Sequence, residues 1–222
     1  MSFRLPRFTS PYPRQSLKQP EREVALRTES IASSRTTLVL KSKGDDKAAI
    51  AYSITTEQGQ TVYTVSGRKY GDQNFREFHD ASGLPLFELH TKTRLGFPSG
   101  WYLTMPGGGD VKIAEGGPRL SMDKGGKNMR FSFRNMATNE AKAEDDKFIT
   151  LDVAIESYGQ IMAKYDINDG DRKIAWVYES VQHNDVLALM PSSRRKSIRP
   201  AVDLVVAAGV DTLLVSLNVV EC

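Results

Sequence analysis

Val202-Asp203-Leu204-Val205-Val206-Ala207-Ala208-Gly209-Val210-Asp211-Thr212-Leu213-Leu214-Val215-Ser216-Leu217-Asn218-Val219-Val220 is the stretch whose reading decides the fold. Gly209 divides it. Val202–Ala207 continues a strand pattern. Asp211 then fits the N-cap of a helix over 212–220, where a carboxylate also suits the positive end of the helix dipole. Such a helix carries Leu213, Leu214 and Leu217 on one side. Val215 and Val219 lie on the other, among Asp211, Thr212, Ser216 and Asn218. A helix that is apolar nearly all round belongs in an interior. A membrane anchor is the competing reading, because the stretch has about the minimum length to span. Asp203 and Asp211 argue against it, since an Asp at the middle of a membrane helix costs roughly 2.5–3.5 kcal/mol. The seven large aliphatic residues from Val210 to Val220 each contribute about 1.5–3 kcal/mol when buried. The stretch therefore predicts a buried hydrophobic helix near 211–221 and no transmembrane span.

Working outward, the chain from about residue 36 reads as short strands with turn signals. Strands are expected at 37–40, 49–54, 60–65, 75–79, 84–89, 101–105, 111–114, 119–122, 129–133, 148–155, 161–167, 173–178 and 186–190. Met129, Phe131 and Phe133 alternate with Arg130, Ser132 and Arg134. Ile149, Leu151, Val153 and Ile155 alternate with Thr150, Asp152, Ala154 and Glu156. That period of two marks strands with one buried face. Turns are expected at Glu57-Gln58-Gly59, Ala81-Ser82-Gly83, Pro106-Gly107-Gly108-Gly109, Gly116-Gly117-Pro118 and Asn168-Asp169-Gly170. Residues 135–147 are polar and charged, and read as a long exposed hairpin loop or one short helical turn. Regular short strands with such turns suggest a β-barrel or a sandwich.

The 222 residues are enough for one sizeable core, and 40% hydrophobic with 26% charged residues is ordinary for a folded chain. One cysteine excludes a disulfide framework. Residues 1–43 hold nine Lys/Arg and three Glu, whereas the remainder is mildly acidic. Pro6, Pro11, Pro13 and Pro20 make residues 1–35 read as a basic, poorly ordered lead-in. No apolar h-region marks a signal peptide there. The domain is expected over 36–222.

The residues also resemble a known family. Arg76-Glu77-Phe78-His79-Asp80 followed by Gly83-Leu84-Pro85-Leu86-Phe87, then Trp101-Tyr102-Leu103, then Leu204 to Val215, are similar to the LURP-one-related branch of the tubby C-terminal-like superfamily, distantly related to phospholipid scramblases. The likeness runs from about residue 36 to the end. It implies a mainly β fold, a closed barrel of about twelve strands enclosing the hydrophobic C-terminal helix. The acidic calcium segment of scramblases is not recognisable, so that activity is not carried over. No phosphoinositide-binding residues of tubby domains align onto this chain.

Catalytic and metal motifs fail one by one. Pro106-Gly107-Gly108-Gly109 lacks the Lys-Ser/Thr of a P-loop. Asp166, Asn168, Asp169 and Asp171 suggest a calcium loop, but Gly170 stands at the fifth position and Val177 at the twelfth. Ser121 and Lys124 lack the companion motifs of a Ser-x-x-Lys enzyme. His79, Asp80 and His90 have no nucleophile elbow to serve, and neighbours on a strand point to opposite faces. Cys222 is not in a prenylation box. The expectation is no enzyme, no cofactor and no metal site.

Arg194-Arg195-Lys196-Ser197-Ile198-Arg199 is the strongest remaining signal. Near an anionic membrane each cation contributes about 1 kcal/mol, so the four together approach roughly millimolar affinity. Arg194, Arg195, Lys196 and Arg199 are thus candidate lipid head-group residues. Ser197 fits a basic-directed kinase site, where a phosphate adds about two negative charges and releases the loop. The expected function is a non-enzymatic barrel that contacts an anionic, phosphoinositide-type membrane surface or a protein partner. The expected location is intracellular, cytoplasmic and peripheral to membranes. Alternatives are a carrier of a hydrophobic ligand and an enzyme with an unrecognised site. Nucleic acid is disfavoured, because the basic excess sits in the tail and aromatics do not interleave with it.

Overall fold

The computed structural model describes residues 16–43, 51–70, 73–94, 97–109, 111–119, 128–138, 147–158, 162–180, 182–184 and 201–221. Twelve strands follow one another there: β1 (Thr36–Lys43), β2 (Ala51–Thr56), β3 (Thr61–Tyr70), β4 (Gln73–Asp80), β5 (Pro85–Arg94) and β6 (Phe97–Thr104). The second half holds β7 (Lys112–Arg119), β8 (Asn128–Arg134), β9 (Phe148–Tyr158), β10 (Met162–Asp169), β11 (Arg172–Glu179) and β12 (Val202–Val206), then the helix α1 (Thr212–Glu221). Every strand pairs antiparallel with its sequence neighbour. β1 closes the ring on β12 through Thr36↔Val206 to Leu40↔Val202. The fold is a closed barrel, one of the two architectures that the strand pattern left open and the one that the resemblance implies.

One apolar core runs through it. Ile54, Phe78, Leu103, Leu151, Ile167 and Leu204 from six strands share that core with Val210, Leu213, Leu214, Val215 and Leu217, all fully buried. The helix is buried on the polar side too, with Ser216 and Asn218 almost inaccessible. Their side chains are satisfied within the helix: Ser216 Oγ donates to Thr212 O (2.7 Å) and Asn218 Nδ2 to Leu214 O (2.9 Å). That back-bonding lets polar residues enter an apolar interior without an orphaned donor. The reversal from β12 into α1 uses Gly209 at φ 82°, a conformation that costs a side-chain-bearing residue more than glycine.

Two expectations are corrected. Gly116-Gly117-Pro118 is not a turn but the middle of β7, so the two strands expected at 111–114 and 119–122 are one through Arg119. The reason is packing. A Cβ on Gly116 would stand 2.5 Å from the Trp101 ring, and one on Gly100 2.4 Å from Gly116 O. These glycines admit the indole and a close backbone approach. The second correction concerns residues 16–35 of the supposed lead-in, which pack against the barrel. Val24 and Ala25 are fully buried, and Val24 and Ile31 form bridges to Val210 and Asp211. The strand expected at 186–190 lies outside the described residues, as do residues 120–122.

Because consecutive strands are antiparallel, their connections alternate between two rims. The helix-start rim holds the β2–β3, β4–β5, β6–β7, β8–β9 and β10–β11 connections, the Gly209 reversal and the N-terminal segment. At the opposite, loop rim β11 ends and β12 begins.

Candidate functional site

The expected head-group residues Arg194, Arg195, Lys196 and Arg199, with Ser197, lie outside the described residues. What the structure describes is the neck from which their loop departs. β11 ends at Glu179, and Ser180 N donates to Ala201 O (2.9 Å). Asn184 then grips Ala201 from both sides. Its Nδ2 donates to Ala201 O (2.7 Å), and its Oδ1 accepts from Ala201 N (2.9 Å). Asn184 and Ala201 are both buried. The two ends of the 185–200 connection are therefore held together by backbone-directed bonds that water does not reach.

Beneath the neck lies a polar chain. The Ser180 hydroxyl meets His183 Nδ1 at 2.9 Å and also bonds the Asp203 carboxyl. With one proton on Oγ, Ser180 donates to Asp203 and accepts from His183 Nδ1–H. Burial pushes Asp203 above the usual carboxylate range, against the Ser180 bond and the nearby His183 imidazole. Burial also raises Tyr178, which shares its surroundings with Asp203 and Arg35. These three residue types invite a hydrolase reading. The order is wrong for it: the serine stands between acid and imidazole and is fully buried, whereas a nucleophile must be exposed with the imidazole in the middle. At the same rim, Lys41 and Lys43 of β1 are exposed, while Lys92 and Arg130 pair with Glu115 (2.6 Å) and Asp152 (3.1 Å).

The other candidates have local work. Asp80 Oδ1 caps the β4–β5 turn, accepting from Ser82 N (2.8 Å), Ser82 Oγ (2.7 Å) and Leu84 N (2.9 Å). The Ser82 hydroxyl, then the turn amides, hold its carboxyl below the usual range. His79 faces Glu77 (3.8 Å) rather than Asp80. His90 is stacked between Phe75 and Tyr102, with Nε2 3.2 Å from Thr104 Oγ1. Asp166, in the segment that resembles a calcium loop, is ion-paired with Lys173. Among the described residues no group of three His, Cys, Asp or Glu is placed to hold a metal, and no helix is long and apolar enough to cross a membrane.

At the other end of the molecule the sequence gives the helix cap but not what else that cap holds. Asp211 caps α1 through Oδ1, which accepts from Leu213 N (2.8 Å) and Leu214 N (3.2 Å). Its Oδ2 accepts from Leu26 N (3.0 Å) and Arg27 N (2.9 Å), so one carboxylate fixes both the helix and the N-terminal segment. Asn135 holds that segment from the other side. It accepts from Ala25 N (2.8 Å) and donates to Glu23 O (2.8 Å). The buried Asn135 at the head of a polar loop was the available signal; its partners, more than a hundred residues away, left none.

A comparison with curated proteins gave no match. The family model described as LURP-one-related matches residues 36–221, from the first strand through the helix, and leaves the packed segment 16–35 outside it. The chain belongs to the LURP-one-related family.

Proposed function

We propose that this chain is a non-enzymatic barrel module that contacts an anionic, phosphoinositide-type membrane surface through the β11–β12 connection. Arg194, Arg195, Lys196 and Arg199 supply the charge, and phosphorylation of Ser197 releases the contact. The observation that carries the reading is the neck: Asn184 and Ala201 bind the two ends of the connection together, at the rim where Lys41 and Lys43 are exposed. Concentrating cations in a short span is what an anionic surface rewards, at about 1 kcal/mol for each near the membrane. We read α1 as filling the barrel interior, since Thr212 to Asn218 and Val220 are all buried, the apolar ones within the core that the strands share. That leaves no lumen for hydrophobic cargo. The chain acts as a presenting scaffold, without catalysis, at the membrane periphery inside the cell.

Liposome co-sedimentation at two salt concentrations tests this. Intact chain is compared with a variant in which Arg194, Arg195, Lys196 and Arg199 are changed to Gln, and with Ser197→Glu. Salt-sensitive binding to phosphoinositide vesicles that both variants weaken supports the reading. Equal sedimentation of all three, or none by the intact chain, overturns it and turns attention to a protein partner.

A further inference from the structure

Residues 16–27 form an arm that is held on the helix-start rim largely through its main chain. Val24 N donates to Gly209 O, and Val24 O accepts from Asp211 N, both at 2.9 Å. Ala25 O accepts from Met136 N (2.8 Å). Asn135 takes Ala25 N and Glu23 O, and Asp211 takes Leu26 N and Arg27 N. The partners belong to the barrel and its helix start, and the ring closes β1 on β12 without the arm.

The same rim carries apolar surface that one copy leaves uncovered. Among the described residues the exposed large apolar side chains are Leu84, Met105, Val111, Met136 and Phe148, with 46% to 70% of their surface accessible. All five lie within two residues of a strand end on the successive β4–β5, β6–β7 and β8–β9 connections, and Met136 is itself bonded to the arm. An apolar cluster confined to one rim marks an interaction surface. The described charges around it are of both signs, with Lys112, Arg134 and Arg172 beside Glu57, Asp169 and Asp171. A rim of one sign repels its own copy, whereas a mixed rim can pair with it.

Between the arm and β1 lies a hinge. Thr28–Ser30 make a single 3-10 turn, closed by Ser30 N to Arg27 O (3.2 Å) and Ile31 N to Thr28 O (3.3 Å), and Thr28 and Glu29 are exposed. Bonds of that length are weak ones. Opened, three residues span about 10 Å, which is also about the spacing of sheets packed face to face. An arm that reaches a second barrel across this hinge therefore brings the two helix-start rims into contact. It keeps the bonds described above, now between copies, and adds apolar rim against apolar rim. The balance shifts toward the pair as concentration rises.

We propose that two copies of this chain pair through their helix-start rims and exchange residues 16–27. A standard interface takes about 20–30 residues a side. The five exposed side chains fall short of that alone, and the exchanged arm supplies most of the rest. The loop rims point away from the contact, so pairing and the membrane contact proposed above use different surfaces, and neither depends on the other.

Cross-linking between full-length copies tests this. In a Cys222→Ser background, one copy carries Glu21→Cys and a second, size-tagged copy carries Arg172→Cys. Glu21 and Arg172 are ion-paired, with side chains 76% and 35% accessible, and a surface pair of this kind contributes little to stability. The two copies are mixed at rising concentration and treated with a short bis-maleimide. The expected result is a link between copies whose yield rises together with the dimer seen by analytical ultracentrifugation. Met105→Asp is expected to weaken that dimer about tenfold, since it buries a charge against the opposing rim, at an unchanged melting temperature. A chain that stays monomeric at every concentration overturns the proposal. So does a dimer without a link between copies, which leaves the arms in cis, or one whose affinity Met105→Asp does not change, which places the contact elsewhere.

Discussion

Asp211 and Arg76 bracket one helix. The Asp211 carboxylate accepts the free amides of Leu213 and Leu214 at its start, and the Arg76 guanidinium donates to Val220 O in its last turn. Each charge sits at the helix end whose partial charge it opposes. Arg76 comes from β4, and its guanidinium lies over the Tyr52 ring of β2 at 5.6 Å, so it ties the helix C-terminus to the wall.

Arg76→Met keeps an aliphatic stem and removes that donor. A hydrogen bond from a charged group contributes about 1.5–3 kcal/mol, and a loss of that size is expected in chemical denaturation. An unchanged midpoint would mean that the helix end is held by packing alone.

Asp211 is the most deeply buried carboxyl that the helix cap depends on. Burial outweighs the four backbone amides that it accepts and pushes its carboxyl up to about 6, well above the usual aspartate range. An acid whose folded pKa is raised binds its proton more tightly when folded. Its contribution to stability is therefore most favourable below about pH 4 and falls as pH rises to about 6. The difference is about 3 kcal/mol by linkage. Measured from pH 7 to pH 4, the stability of the parent relative to Asp211→Asn is expected to rise by that order. A flat difference would place the Asp211 pKa near that of an exposed aspartate.

Gly116→Ala places a methyl 2.5 Å from the Trp101 ring, which is itself buried against Phe131 at a centroid distance of 4.6 Å. Overpacking of this kind costs about 1–3 kcal/mol or more. A lower melting temperature with a changed near-ultraviolet tryptophan signal is expected; a native-like signal at full stability contradicts the packing.

Asn135→Ala removes the two bonds to Glu23 O and Ala25 N that hold the N-terminal segment. Hydrogen exchange at Ala25 and Leu26 is expected to rise sharply while the strand amides of β8 stay protected. Uniform exchange across both would show that the segment and the barrel open together.

Asn184→Ala opens the neck of the basic connection. Faster tryptic nicking between residues 194 and 199 is expected, with the barrel melting within a few degrees of the parent. Unaltered nicking would mean that Ser180 N and Ala201 O suffice to close it.

How much of this is legible in the sequence differs by residue. The strand alternation around Phe131 and Leu151, the break at Gly209 and the cap at Asp211 are local signals, and each agrees with the structure. Gly116-Gly117-Pro118 is ambiguous, because glycine serves turns and tight strand packing alike, and the deciding neighbour, Trp101, belongs to another strand. The grip of Asp211 on Leu26 spans 185 positions, a distance over which no spacing rule speaks. Of the candidate site, the run of cations was readable as composition. Its closure by Asn184 was not, since an asparagine that pairs with backbone resembles any loop asparagine.

The pairing of β1 with β12 has a consequence for how the chain is made. A ring whose first strand waits for its last cannot close during synthesis until residue 206 has left the ribosome. Until then two strand edges stand open, each a template for pairing with another molecule. The nascent sheet is therefore most vulnerable to aggregation late, when nearly all of its hydrogen bonds are already in place. Slowing elongation before β12 should harm yield more than slowing it anywhere earlier.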